Sequence, residues 1–151
     1  MRAGFSIVTF PAVLLATALG VATGLGGYAF VHGKGTSYLT NEPKACSNCH
    51  VMRSHYDGWL KSTHHAAATC NDCHTPSAPI AGKWVKATNG FRHSLAFTSG
   101  DVPDALRARP QDLEVLEQQC RHCHAEFLLA MPHGSVGISC VRCHDSVGHL
   151  L

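Results

Sequence analysis

Charge is what the first fifth of this sequence lacks. Between Arg2 and Lys34 there is no Asp, Glu, Lys or Arg, and over the whole chain those four types make up only 15% of residues, against about a quarter in an ordinary globular domain. The formal net charge is +2. A nucleic-acid partner is therefore not expected, nor is docking through a broad acidic or basic field, and partner choice rests on local surface. Strand-like alternation of apolar and polar residues is also missing, which points away from a sheet protein. No cysteine stands outside a repeated motif, and no motif has the form C-x-x-C-K.

The uncharged run reads "FSIVTFPAVLLATALGVATGLGGYAFV". It exceeds the roughly 20 apolar residues that span a bilayer as a helix. A cleaved secretory signal is the competing reading, because Ala16-Thr17-Ala18 resembles a small-residue cleavage site. A signal core is only about 7 to 15 residues long, however, and this run continues past that length. The expectation is an uncleaved transmembrane anchor over residues 1–33. Counting positive charges orients it weakly, since Arg2 on one flank is offset by Lys34 and Lys44 on the other.

What the chain does contain is one motif four times over. Its eight cysteines fall into Cys46/Cys49/His50, Cys70/Cys73/His74, Cys120/Cys123/His124 and Cys140/Cys143/His144. A single C-x-x-C is compatible with a redox dithiol or half of a zinc site. Four copies that use every cysteine, each followed by histidine, are the pattern of covalent haem c attachment, in which the thiols take the vinyl groups and histidine takes the iron. A disulfide framework has no need of the histidines. Four covalently attached haem c groups are expected. Attachment of haem c takes place on the outer side of a bacterial cytoplasmic membrane, so the amino terminus is placed inside and everything beyond about Val31 outside, on the periplasmic side.

The remaining residues, 34–151, suffice for one small domain. Much of its surface must face porphyrins, so the haems are expected to serve as its core. Cys46 to Cys70 and Cys120 to Cys140 are short intervals, whereas Cys70 to Cys120 is about twice as long. The domain thus reads as two dihaem units joined by an insert. The fold class is mainly α with extensive loop. A helix is expected over 53–68, a break after it at Pro76, Pro79 and Gly82, and a short helix over 111–119 behind Pro110.

Low-spin haems need two axial ligands each, and the chain has twelve histidines. Outside the motifs stand His32, His55, His64, His65, His93, His122, His133 and His149. His65 and His149 are the strongest distal candidates. His64 and His133 compete with them, and His122, inside a motif's variable pair, is read as surface. Met52 follows the first motif so closely that either it or His50 can be the ligand of the first haem.

The anchor, "CSNCHVM", "HHAAATCNDCHTP", the insert with "WVKATNG", then "CRHCH" and "CVRCHDSVGH" resemble the NapC/NirT family of membrane-anchored tetrahaem quinol dehydrogenases, in particular its NrfH type, the small subunit of cytochrome c nitrite reductase. The resemblance implies menaquinol as electron donor and a periplasmic pentahaem nitrite reductase as partner, the route of respiratory nitrite ammonification. Residue by residue it implies Met52 on the first iron in place of His50, and His74 on the second, with the sixth position there open to the partner subunit. It pairs His124 with His149 and His144 with His65. It also places Lys86 and His93 in the quinol site, His93 standing where a relative has aspartate. Histidine there can accept a proton from quinol or coordinate the first iron. The surrounding "KWVKATNGFRHSLAF" mixes aromatics with basic residues, as a segment at a membrane surface does.

Overall fold

The computed structural model describes residues 4–131 and 137–149, with side chains from residue 9 onward. Of the readings above, the candidate ligand His133 lies outside them. The chain divides into two units, Met1–Thr36 and Ser37–Leu151, slightly later than the expected boundary.

The first unit is helix α1, Gly4–His32. Its segment Thr9–His32 is long and apolar enough to cross a membrane, with a mean hydropathy of 1.6 over its most apolar stretch. At about 1.5 Å rise per residue, those 24 residues outreach a hydrocarbon core of about 30 Å. Thr23 fits this setting because its hydroxyl donates back to Leu19 O at 2.7 Å and leaves no unmatched donor for lipid.

The second unit is helical and looped, with no strand among the described residues. Pro43 starts α2 (Pro43–Cys46), which delivers the first thiol at its end. A single 3-10 turn, His50–Met52, leads into α3, Arg53–Leu60. The helix expected over 53–68 stops at Leu60 because the Trp59 indole donates to Ala68 O at 3.0 Å, folding residues 61–68 back as turns. The second motif is α4, Cys70–His74. Its variable residue Asp72 caps it, accepting from the Thr69 amide at 2.8 Å.

The break after α4 is real but shorter than expected. Pro79 opens α5 (Pro79–Ser99) at its first turn, where a missing amide proton costs nothing. Gly82 is a helical residue there, not a breaker. It is required because a Cβ would stand 2.8 Å from Pro76 O. Gly100, with φ 73°, ends the helix in the left-handed conformation that glycine adopts without penalty. Helix α6, Pro110–Cys123, contains the expected 111–119 segment and runs on into the third motif. Its start is held by Arg109, which forms an ion pair with Asp112 at 2.7 Å and keeps that carboxyl below its usual range. Helix α7, Ala125–Ala130, follows, and the last motif begins in a 3-10 turn, Cys140–Arg142.

Candidate functional site

Helix α6 organises the motifs. Its buried Gln119 donates to Asp72 O of the second motif at 3.0 Å, and α4 packs directly on α6. Its Glu117 accepts from the Cys140 amide of the fourth motif at 2.8 Å and pairs with Arg121 at 2.8 Å. Burial works to raise the Glu117 carboxyl, but the bonds from Cys140 and Arg121 outweigh it and hold the carboxyl low. The first motif joins through the segment before it, where Asn71 donates to Thr40 O at 3.1 Å. The insert thus leaves the two motif pairs in direct contact.

Four features of the chain fit covalent haem. All eight thiols are unpaired. The four motif histidines are exposed on the surface of the chain, where a planar group tethered to the neighbouring thiols covers them. No hydrophobic side chain is buried among the described residues, so the interior of a unit this size must come from something other than protein. The Nδ1 of His149 is buried with no hydrogen-bond partner, an arrangement costly for a polar atom unless the ring serves a ligand.

Met52 is half-buried and His50 exposed. His149 lies beside His55, ring centroids 4.9 Å apart, and beside His74 at 6.1 Å with the rings nearly parallel. His64 is 5.9 Å from His124, and its Nδ1 meets Val147 O at 3.2 Å. His65 stands against Trp59 at 5.6 Å. Neither of the implied pairs, His124 with His149 or His144 with His65, is in ring contact among the described residues. His122 is exposed.

Helix α5 has two dissimilar sides. Ile80, Trp84, Phe91 and Leu95 recur at helical spacing on one, exposed by 87%, 71%, 69% and 56%. Lys86 and His93, seven residues or about two turns apart, share the other. Lys86 donates to Asn41 Oδ1 and to Thr40 O. It lines a cleft of about 260 Å³ whose walls are mixed, with Asn41, Asn71, Lys83 and Gln119 among the polar residues and Pro76, Ala78 and Pro79 among the apolar ones. His93 meets Tyr38 through its Nδ1 at 2.9 Å. Partial burial pushes the His93 pKa below its ordinary value, against a weaker opposing pull from Asp112. Tyr38 was not legible as a site residue. Its only signal in the sequence is a lone aromatic upstream of the first motif.

A helical haem-binding unit with a single apolar helix defines a membrane-anchored c-type cytochrome. The model of the NapC/NirT cytochrome c family, N-terminal region, matches residues 8–151, and the chain belongs to that family. It is similar to the cytochrome c-type protein NrfH of Wolinella succinogenes, 34% identical over 142 residues, covering 85% of this chain and 80% of that protein. It is also similar to the cytochrome c nitrite reductase subunit NrfH of Nitratidesulfovibrio vulgaris, 30% identical, covering 77% and 72%. Among solved structures it matches a chain of the cytochrome c nitrite reductase NrfHA complex bound to the HQNO inhibitor, with a TM-score of 0.67, 30% identity, and coverage of 92% of this chain and 90% of that one.

Proposed function

We propose that this chain is the menaquinol-oxidising tetrahaem subunit that feeds electrons to a periplasmic pentahaem cytochrome c nitrite reductase. The observation that carries the reading is the match along 90% of a chain from a solved nitrite reductase complex, together with four intact attachment motifs. That the matched complex holds the HQNO inhibitor supports a quinol donor for this chain as well. The amino terminus lies inside and the haem domain on the periplasmic side.

Cys46 and Cys49, Cys70 and Cys73, Cys120 and Cys123, and Cys140 and Cys143 hold the four groups covalently. Met52, His74, His124 and His144, together with His149 and His65, would be the side chains that hold the irons. Met52 is set on the first iron in place of His50 on the C-x-x-C-H-x-M pattern of the first motif, and a thioether donor there favours the reduced state. When bound, haem c supplies one-electron acceptors. The chain's own residues handle the rest of the reaction. Quinol gives up two electrons and two protons. His93, kept neutral near pH 7, accepts each proton at Nε2 from a quinol hydroxyl and passes it to water. Lys86 holds a quinol oxygen and favours its anionic form. The exposed apolar strip of α5 suits the surface of a bilayer, from which an apolar donor arrives.

The test is affinity purification of the tagged, full-length chain from mild detergent. Recovery of a multihaem reductase that converts nitrite to ammonium at the expense of menaquinol is the expected result. Recovery of a different terminal reductase, with no nitrite turnover, assigns the chain to another electron route.

A further inference from the structure

We infer that Tyr38 is a positioning residue of the quinol site, acting through His93. This rests on the reading of His93 as proton acceptor. The two residues are 55 positions apart in sequence, yet the Tyr38 hydroxyl lies 2.9 Å from His93 Nδ1, with the rings tilted at 49° and centroids 5.9 Å apart. The contact is built into the backbone. Gly90, one turn before His93 on α5, is buried, and a Cβ there would stand 3.1 Å from the Tyr38 ring. A Cβ there would press the ring back by a few tenths of an ångström, so glycine eases the approach of the segment before the first motif to α5 at this point.

The consequence is a choice of tautomer. An imidazole that accepts a proton must present a lone pair, and Nδ1 is occupied by Tyr38. With Nδ1–H donating to the Tyr38 oxygen, Nε2 keeps its lone pair for the quinol hydroxyl. After Nε2 takes the proton, Nδ1–H still donates to the same oxygen, so the ring is held before and after transfer. Tyr38 does not compete for that proton, because burial disfavours its phenolate and pushes its own pKa up. The strap continues along α5, since Thr40 and Asn41 hold Lys86. One short segment therefore sets both polar groups of the site.

The test uses the full-length, haem-loaded protein in detergent and four chains: wild type, Tyr38→Phe, His93→Ala and the double variant. Each is reduced by a menaquinol analogue in stopped flow, and separately by dithionite. Tyr38→Phe keeps the ring that packs on Gly90 and removes only the hydroxyl. It is expected to slow quinol reduction about tenfold, the scale of one hydrogen bond, while dithionite reduction and the haem absorption bands stay as in wild type. The double variant is expected to be no slower than His93→Ala. A Tyr38→Phe protein as fast as wild type overturns the inference, and so does the same tenfold loss in the His93→Ala background. If His93→Ala itself is not slowed, the reading of His93 fails instead, which the single variants report separately. Should Tyr38→Phe not mature, Gly90→Ala displaces the ring without removing the hydroxyl. It is expected to slow quinol reduction and leave dithionite reduction intact, and an unslowed Gly90→Ala protein overturns the inference.

Discussion

At the scale of single residues, the chemistry of this chain is concentrated in sulfur and imidazole. His64 and His65 are adjacent but differently placed: the first is half-buried beside His124, the second exposed and against Trp59. If His65 is the distal ligand, His65→Ala converts one low-spin haem to a high-spin form while His64→Ala leaves the low-spin population as in wild type, a difference that low-temperature magnetic circular dichroism reads directly. The reverse pattern moves the ligand to His64. His93 gives a pH prediction. Its folded pKa is lowered, so the neutral, accepting form is present above about pH 6.5, the ordinary value, and is lost only as pH falls below that. The groups acting on the ring are Tyr38 from the preceding segment and Asp112 from α6. The quinol-dependent rate is expected to be flat from neutral pH upward and to decline on the acid side, and His93→Ala is expected to abolish that acid limb. The cysteine and histidine inventory was legible because covalent attachment imposes fixed local spacing. Tyr38 was not, since a contact across 55 positions leaves no periodic trace.

At the scale of elements, legibility followed the strength of local signals. Pro110 and Pro79 mark the starts of α6 and α5 because proline fits the first helical turn. The helix expected over 53–68 was overextended, since the Trp59 bond to Ala68 that folds residues 61–68 back is a tertiary contact. Gly82 was misjudged for a related reason: glycine signals a break when read alone, yet here it admits the Pro76 carbonyl. Two elements carry testable roles. Glu117 on α6 holds the fourth motif through the Cys140 amide and the Ser139 hydroxyl. Glu117→Ala is expected to cost about 1–3 kcal/mol locally, seen as faster hydrogen exchange at the Cys140 amide with exchange in α5 unchanged. The outer strip of α5 is expected to seat the helix on the bilayer, with Lys86 and His93 on its other side. Phe91→Asp, which places a charge on a side chain already 69% exposed, should leave folding and dithionite reduction intact and slow reduction by quinol.

At the scale of the whole molecule, the composition explains the architecture. A unit spanning Ser37–Leu151 with no buried hydrophobic side chain among its described residues does not hold together by protein packing alone. Its stability is therefore coupled to haem attachment, with α6 joining the second, third and fourth motifs by specific hydrogen bonds. The anchor was legible from the length of its uncharged run, which continues past the core of a cleaved signal. The partner was legible only through resemblance, and the expectation of a quinol donor rests on resemblance too, since the +2 net charge carries no signature of either. The central claim is that quinol delivers electrons to this chain. Stopped-flow mixing of the oxidised, detergent-solubilised protein with a menaquinol analogue, followed in the haem absorption bands, tests it most directly. Rapid reduction, followed by reoxidation when the pentahaem reductase and nitrite are added, is the predicted result. A protein that stays oxidised with quinol yet accepts electrons readily from dithionite contradicts it.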